Sequence, residues 1–232
     1  MDHSTKDEHH RDVASGGFRA ALFGLADGLV TNASLILGFA GASPGHAVVR
    51  LAGIGGLVAG AFSMATGEYI SVQSQKELYE YEIEVERKDL EADPEEELHE
   101  LTAIFVKRGV EQDVAERLAA DLMRNPDLAL RTHTREELGI DPDSLAKPWV
   151  AAYSSFAFFS VGALIPLLPW LFSSHGNPLV ISLILTGLAS AVVGGSVGWF
   201  THRGVVFSAL RSLLITTVAA GVTYGVGHFV GA

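Results

Sequence analysis

The chain has 232 residues, 48% of them hydrophobic, with a positive mean hydropathy, yet its formal charge is −11, so apolar and acidic residues must lie in separate stretches. It contains no cysteine, which excludes disulfides, CxxC redox chemistry and thiolate metal sites. Any metal is left to oxygen, imidazole or thioether ligands, and so acidic a chain is not expected to bind nucleic acid.

Residues 1–17, beginning MDHSTKDEHHRD, read as a flexible polar tail. Its His3, His9 and His10 could touch metal, but polarity and lack of periodicity favour the simple tail. The first apolar run follows, Phe18–Ala42, too long for the core of a cleavable signal peptide. Within it stands GLADGLVTNASLILGF, from Gly24 to Phe39, with a carboxylate at Asp27. A charge at the centre of a membrane helix costs roughly 2.5–3.5 kcal/mol on insertion scales, so Asp27 is expected to have a function. Asn32 is a weaker candidate for the same passage, because a membrane asparagine more often bonds a neighbouring helix.

The second run, Ala47–Ile70, ends in SMATGEYI and carries Met64 and Glu68 at i, i+4 spacing. Asp27, Met64 and Glu68 together would supply two carboxylates and a thioether within membrane helices. Past Ile70 the sequence QSQKELYEYEIEVERKDLEA keeps to strong helix formers without Gly or Pro, so this helix should continue beyond the bilayer.

Between Ser71 and Lys147 there are 21 Asp or Glu and 10 Lys or Arg, which accounts for the net charge of the whole chain. Asp93-Pro94 predicts an N-cap with Pro in the first turn and Glu96 at the capping-box position; that helix should stop at Gly109. Helices are predicted over Glu111–Arg124 and from Pro126 to Leu138, the last with Gly139 as its C′ residue. Glu82, Glu86 and Asp89 form an i, i+4, i+7 row, Glu97 and Glu100 an i, i+3 pair, and His133 and Glu137 an i, i+4 pair. Like charges so spaced repel, and a divalent cation would offset the repulsion. Any single pair is more simply a solvated face, partly neutralised by Lys76, Arg87, Lys88 or Arg135. Three such sets in one small domain favour a metal site suited to Mg, Ca, Mn or Fe(II), with the imidazole tilting it toward transition ions.

Three further apolar runs, Trp149–Phe172, Pro178–Phe200 and Val205–Val230, also reach the ~20 residues that a helix needs to cross about 30 Å of hydrocarbon. The expected fold is an all-α integral membrane protein of five transmembrane helices, with a helical metal-binding insert between helices two and three. Its parts are the tail 1–17, helices one and two over 18–75, the acidic domain 76–147, and helices three to five over 148–232. Fifteen of the sixteen Lys and Arg fall on one side if the amino terminus is cytoplasmic, Arg50 being the exception. The tail and acidic domain are therefore expected in the cytoplasm and the carboxy terminus opposite, in the cell inner membrane. Three readings stay open on residues alone: a divalent-metal transporter, a membrane di-iron carboxylate oxidase, and a scaffold whose acidic domain docks a basic partner. The oxidase would use Glu-x-x-His spacings, of which Glu96 to His99 supplies one.

Asp27 in GLADGL, the SMATGEY stretch, five spans and the acidic insert together resemble the vacuolar iron transporter family, over nearly the whole chain from Ser15. The resemblance implies a homodimer whose first helices line a path for Fe2+ and similar ions, moved out of the cytoplasm in exchange for protons. It places Asp27 and Met64 on that path, and gives metal binding to Glu86 and Asp89, Glu97 and Glu100, and His133, Thr134 and Glu137. The family pattern has Glu at position 89 and methionines at 133 and 134, and its plant members carry acids where Gly16, Ala20 and Gly56 stand here. Glu68 then offers a carboxylate that the plant pattern lacks. Proton and metal would compete for Asp27, the linkage an antiporter needs.

Overall fold

The computed structural model describes residues 16–42, 45–172 and 177–231. The histidines of the tail, His3, His9 and His10, lie outside the described residues. The described residues form eight α-helices, in chain order α1 Gly16–Gly41, α2 His46–Ala92, α3 Pro94–Lys107, α4 Gln112–Met123, α5 Pro126–Glu136, α6 Pro148–Phe172, α7 Pro178–Phe200 and α8 Val205–Gly231. A short 3₁₀ turn, Pro142–Ser144, precedes α6, and the described residues contain no strand. Five helices are long and apolar enough to cross a membrane. The chain divides into two compact units, residues 71–147 and the remainder, with α2 continuous through the boundary at Ile70.

In the apolar unit α1 packs chiefly on α6 and then on α8. The α1–α6 approach is backbone to backbone. A methyl group built on Gly28 would lie 2.2 Å from Phe159 O, and one on Gly162 2.2 Å from Leu25 O. Such contact suits helices that gain no hydrophobic free energy from each other in lipid and associate by close packing. Ile36, Val49, Leu167 and Trp170 form one buried cluster, and Ala61, Phe159 and Ala163 another, with Met64 against the second.

The helix α6 runs through Pro166 and Pro169 to Phe172, so neither proline ends it. A proline removes an amide donor from the ladder, and polar side chains of neighbouring helices bond carbonyls of this stretch. The Ser182 hydroxyl donates to Pro166 O at 2.7 Å, and Asn32 Nδ2 donates to Ala163 O at 2.6 Å. A second polar contact joins α7 to α8, where Ser190 Oγ lies 2.8 Å from Thr216 Oγ1 and 3.1 Å from Ser212 Oγ.

In the acidic unit the punctuation is local. Asp93 Oδ1 accepts from Glu96 N at the start of α3, but the reciprocal half of the expected capping box is replaced: Asp93 N donates to Asp89 O of α2. The chain turns so soon after α2 that the preceding carbonyl is already in reach. Gly109 closes α3 at φ +97°, a conformation that a Cβ disfavours. Asn125 caps α5 by accepting from Asp127 N and Leu128 N. That helix ends at Glu136, earlier than Leu138; Gly139 then takes φ +68°, and Ile140 N donates back to Thr134 O. The core here is small and alanine-rich, with Leu101, Ala115, Ala119, Ala129 and Ile140 buried.

Candidate metal centre

Helices α2, α3 and α5 each deliver one buried polar side chain to the same point: Glu86, Glu97 and His133. His133 is wholly buried, and its Nδ1 lies 3.0 Å from Glu86 Oε1, 3.3 Å from Glu97 Oε2 and 4.0 Å from Glu137 Oε2. Ligand atoms of all four residues lie within 4.8 Å of one another. Glu86 Oε1, Glu97 Oε2 and both ring nitrogens of His133 are buried without a hydrogen-bond partner. Leaving one such group unsatisfied costs ~1–3 kcal/mol, and more for a charged one, so three such side chains brought together make a set that could hold a cation.

The expected neutralisation by basic residues does not occur there. Arg87 and Lys88 pair with Glu84, Lys76 with Glu80, and Arg135 with Asp141 and Asp143. Among the described residues, no Lys or Arg pairs with the four-residue cluster. Its electrostatics follow from that. Burial, then repulsion from Glu86, pushes the Glu97 carboxyl up to about 7, although His133 pulls the other way. Glu137 is raised by burial first and then by Glu86 and Glu100. Burial pulls the His133 imidazolium down, but Glu86, followed by Glu97 and Glu137, more than reverses this, and the net position lies above the usual imidazole value.

The other acids of the unit take different places. Asp89 and Glu100 are exposed and outside the four-residue set, though both are near enough to raise Glu137. Glu82 lies one turn before Glu86 on α2, half-buried and outside the set. Thr134 is buried with its hydroxyl spent on Leu130 O, an intrahelical bond. Both members of the Glu-x-x-His spacing, Glu96 and His99, are exposed, and neither joins the cluster.

In the apolar unit Asp27 is half-buried on α1 and accepts from Thr31 Oγ1 at 3.1 Å. Asn32 is fully buried; Nδ2 is committed to Ala163 O, while Oδ1 has no partner. Glu68 pairs with Arg19 of α1 at 2.7 Å. Helical spacing did not show that ion pair, because its partners are 49 residues apart.

Among the described residues, five helices long and apolar enough to cross a membrane make this a polytopic membrane protein, and its carboxylate–imidazole cluster is one that could hold a metal ion. The chain matches the VIT family over residues 18–228, and it belongs to that family of membrane transporters. It is 36% identical to a protein named vacuolar iron transporter in Acanthamoeba castellanii, over 95% of this chain and 82% of that one. It is 30% identical to a vacuolar iron transporter of Centaurea cyanus, over 94% and 89%. With vacuolar iron transporter 1 of Arabidopsis thaliana it shares 29% identity over 94% and 88%.

Proposed function

We propose that the protein is an iron transporter that moves Fe2+, and Mn2+ by the same chemistry, out of the cytoplasm in exchange for protons. The observation that carries the metal reading is the convergence of buried Glu86, Glu97 and His133 with exposed Glu137, free of basic partners among the described residues. Three carboxylates and one imidazole suit Fe(II) and Mn(II) better than a thiolate-seeking ion. In this reading the acidic unit faces the cytoplasm and captures the ion, with Glu82, Asp89 and Glu100 adding negative potential around the centre. Membrane passage falls to Asp27, Met64 and Glu68. Asp27 exchanges a proton for the ion, because metal binding requires the deprotonated carboxylate. Met64 adds a polarizable contact that favours Fe(II) over Mg(II).

Asn32 has the smaller part, since its amide already secures α1 to α6. The homodimer reading is supported by a small-residue stripe on α2. Gly55, Ala59, Ser63 and Gly67 recur every four residues, and all are exposed in the single chain. Stripes of this kind let two membrane helices approach closely. Nothing in the centre favours the di-iron oxidase, whose Glu-x-x-His element points elsewhere, and a docking scaffold leaves the buried unpaired carboxylates without a role.

The test is uptake of Fe2+ by proteoliposomes under opposed pH gradients. Wild-type protein should respond to the direction of the gradient, and Asp27→Ala should lose uptake. Equal transport by the two would remove Asp27 from the path.

A further inference from the structure

The geometry points to Arg19 as a tethered cation that occupies Glu68 at the mouth of the membrane unit, so that an incoming ion must displace it and weakly held monovalent ions fail to do so. This rests on the transport reading above. The membrane unit has only two carboxylates among its described residues, Asp27 and Glu68. Glu68 lies near the end of the apolar stretch of α2, three residues before the acidic unit begins at Ser71. Met64 is one turn deeper, about 6 Å along the axis, and Asp27 is eight residues beyond Arg19 on α1, about 12 Å. The Arg19–Glu68 pair therefore stands at the level an ion meets before either.

The contact has the form of an occupied site that can be vacated. Its two carboxylate and guanidinium groups meet through a single bond, Arg19 Nη2 to Glu68 Oε1 at 2.7 Å. The Glu68 side chain is 13% exposed while that of Arg19 is 66% exposed, so the acid is held in the protein and the cation can swing into solvent. A bidentate fork, the stronger arrangement, is not formed. Displacing the guanidinium by a monovalent ion exchanges one unit charge for another and gains little Coulomb energy. A divalent ion doubles the charge facing Glu68 and gains about twice as much. Arg19 thus lowers the apparent affinity of every cation by the same factor, which leaves a divalent ion able to occupy Glu68 while a weakly held monovalent ion is not.

The experiment measures Fe2+ uptake by proteoliposomes holding the full chain, with and without excess K+. With Arg19→Gln, KM for Fe2+ should fall roughly five- to tenfold at little change in kcat, as for loss of a competing charge in a partly screened site. Potassium should then compete, and should not in the wild type. Arg19→Lys should retain the wild-type KM, and Glu68→Gln should raise KM and abolish the effect of Arg19→Gln in the double variant. An unchanged or higher KM in Arg19→Gln would overturn the inference, and a lower melting temperature beside it would make the pair a structural latch. That outcome leaves the transport reading standing, whereas failure of the wild type to move Fe2+ would remove both.

Discussion

His133 Nδ1 lies 3.0 Å from Glu86 Oε1, joining α5 to α2, and both atoms are buried without a hydrogen bond. Two helices of an alanine-rich domain are thus brought together at a point where neither side chain is satisfied by the protein. In a structural contact, the donor and acceptor would be aligned. Here one ligand atom from the imidazole and from each of three carboxylates lie within 4.8 Å of one another, a set that could hold an ion.

The first prediction concerns that imidazole. His133→Ala in the full-length protein should weaken Fe2+ or Mn2+ binding, followed by calorimetric titration, by more than the 10–100-fold typical of losing a group that only supports a ligand. Exposed His99→Ala should leave the titration unchanged. Equal effects of the two substitutions would show that the binding follows overall charge and not the buried set.

The pH dependence has a definite sign. Glu97 stands at about 7 in the folded protein against 4.5 in the unfolded chain, and His133 and Glu137 are also raised. The stability these groups contribute to the metal-free protein is complete below their unfolded values and is lost as pH rises through the folded ones. The chelated acidic unit should therefore melt at a lower temperature at pH 8 than at pH 6, followed by the far-ultraviolet helix signal. Metal should reverse the trend, and its affinity should increase from pH 6 to pH 8 with release of about one proton from Glu97 at the lower end.

Packing of α1 on α6 gives a third expectation. Gly28→Ala places a methyl group 2.2 Å from Phe159 O, where only backbone can yield. Overpacking of this kind costs about 1–3 kcal/mol, seen as a lower melting temperature in detergent. The comparison is Gly221→Ala on α8, where nothing lies within 4 Å of the added group and no loss is expected.

The dimer can be tested because the chain has no cysteine of its own. Ser63→Cys, on the exposed stripe of α2, should form an intermolecular disulfide on mild oxidation in membranes and run as a dimer on a non-reducing gel. A cysteine at Leu188 on α7, also exposed, should remain monomeric. If crosslinking were equal at both positions, or absent at Ser63→Cys, the dimer would not use this stripe.

The all-helical membrane class and the five spans were legible from residue order alone, because lipid leaves a backbone no partners except its own and long apolar runs without a period-2 pattern meet that demand as helices. Local punctuation was legible too, since caps such as Asp93 and Asn125, and turns such as Gly109, act on groups a few residues away, although α5 stops at Glu136 and not at Leu138. Helical periodicity assembled Glu82, Glu86 and Asp89 as one row on α2, but it could not say which member turns inward. The tertiary structure decided that Glu86 joins Glu97, His133 and Glu137, while Asp89 and Glu100 stay exposed. It likewise decided that Arg19 engages Glu68 and that Asn32 bonds Ala163 O, pairings across 49 and 131 residues. Spacing along a helix fixes which side chains share a face; which faces meet depends on the packing of separate helices, and that is where the unpaired charges of the centre become visible.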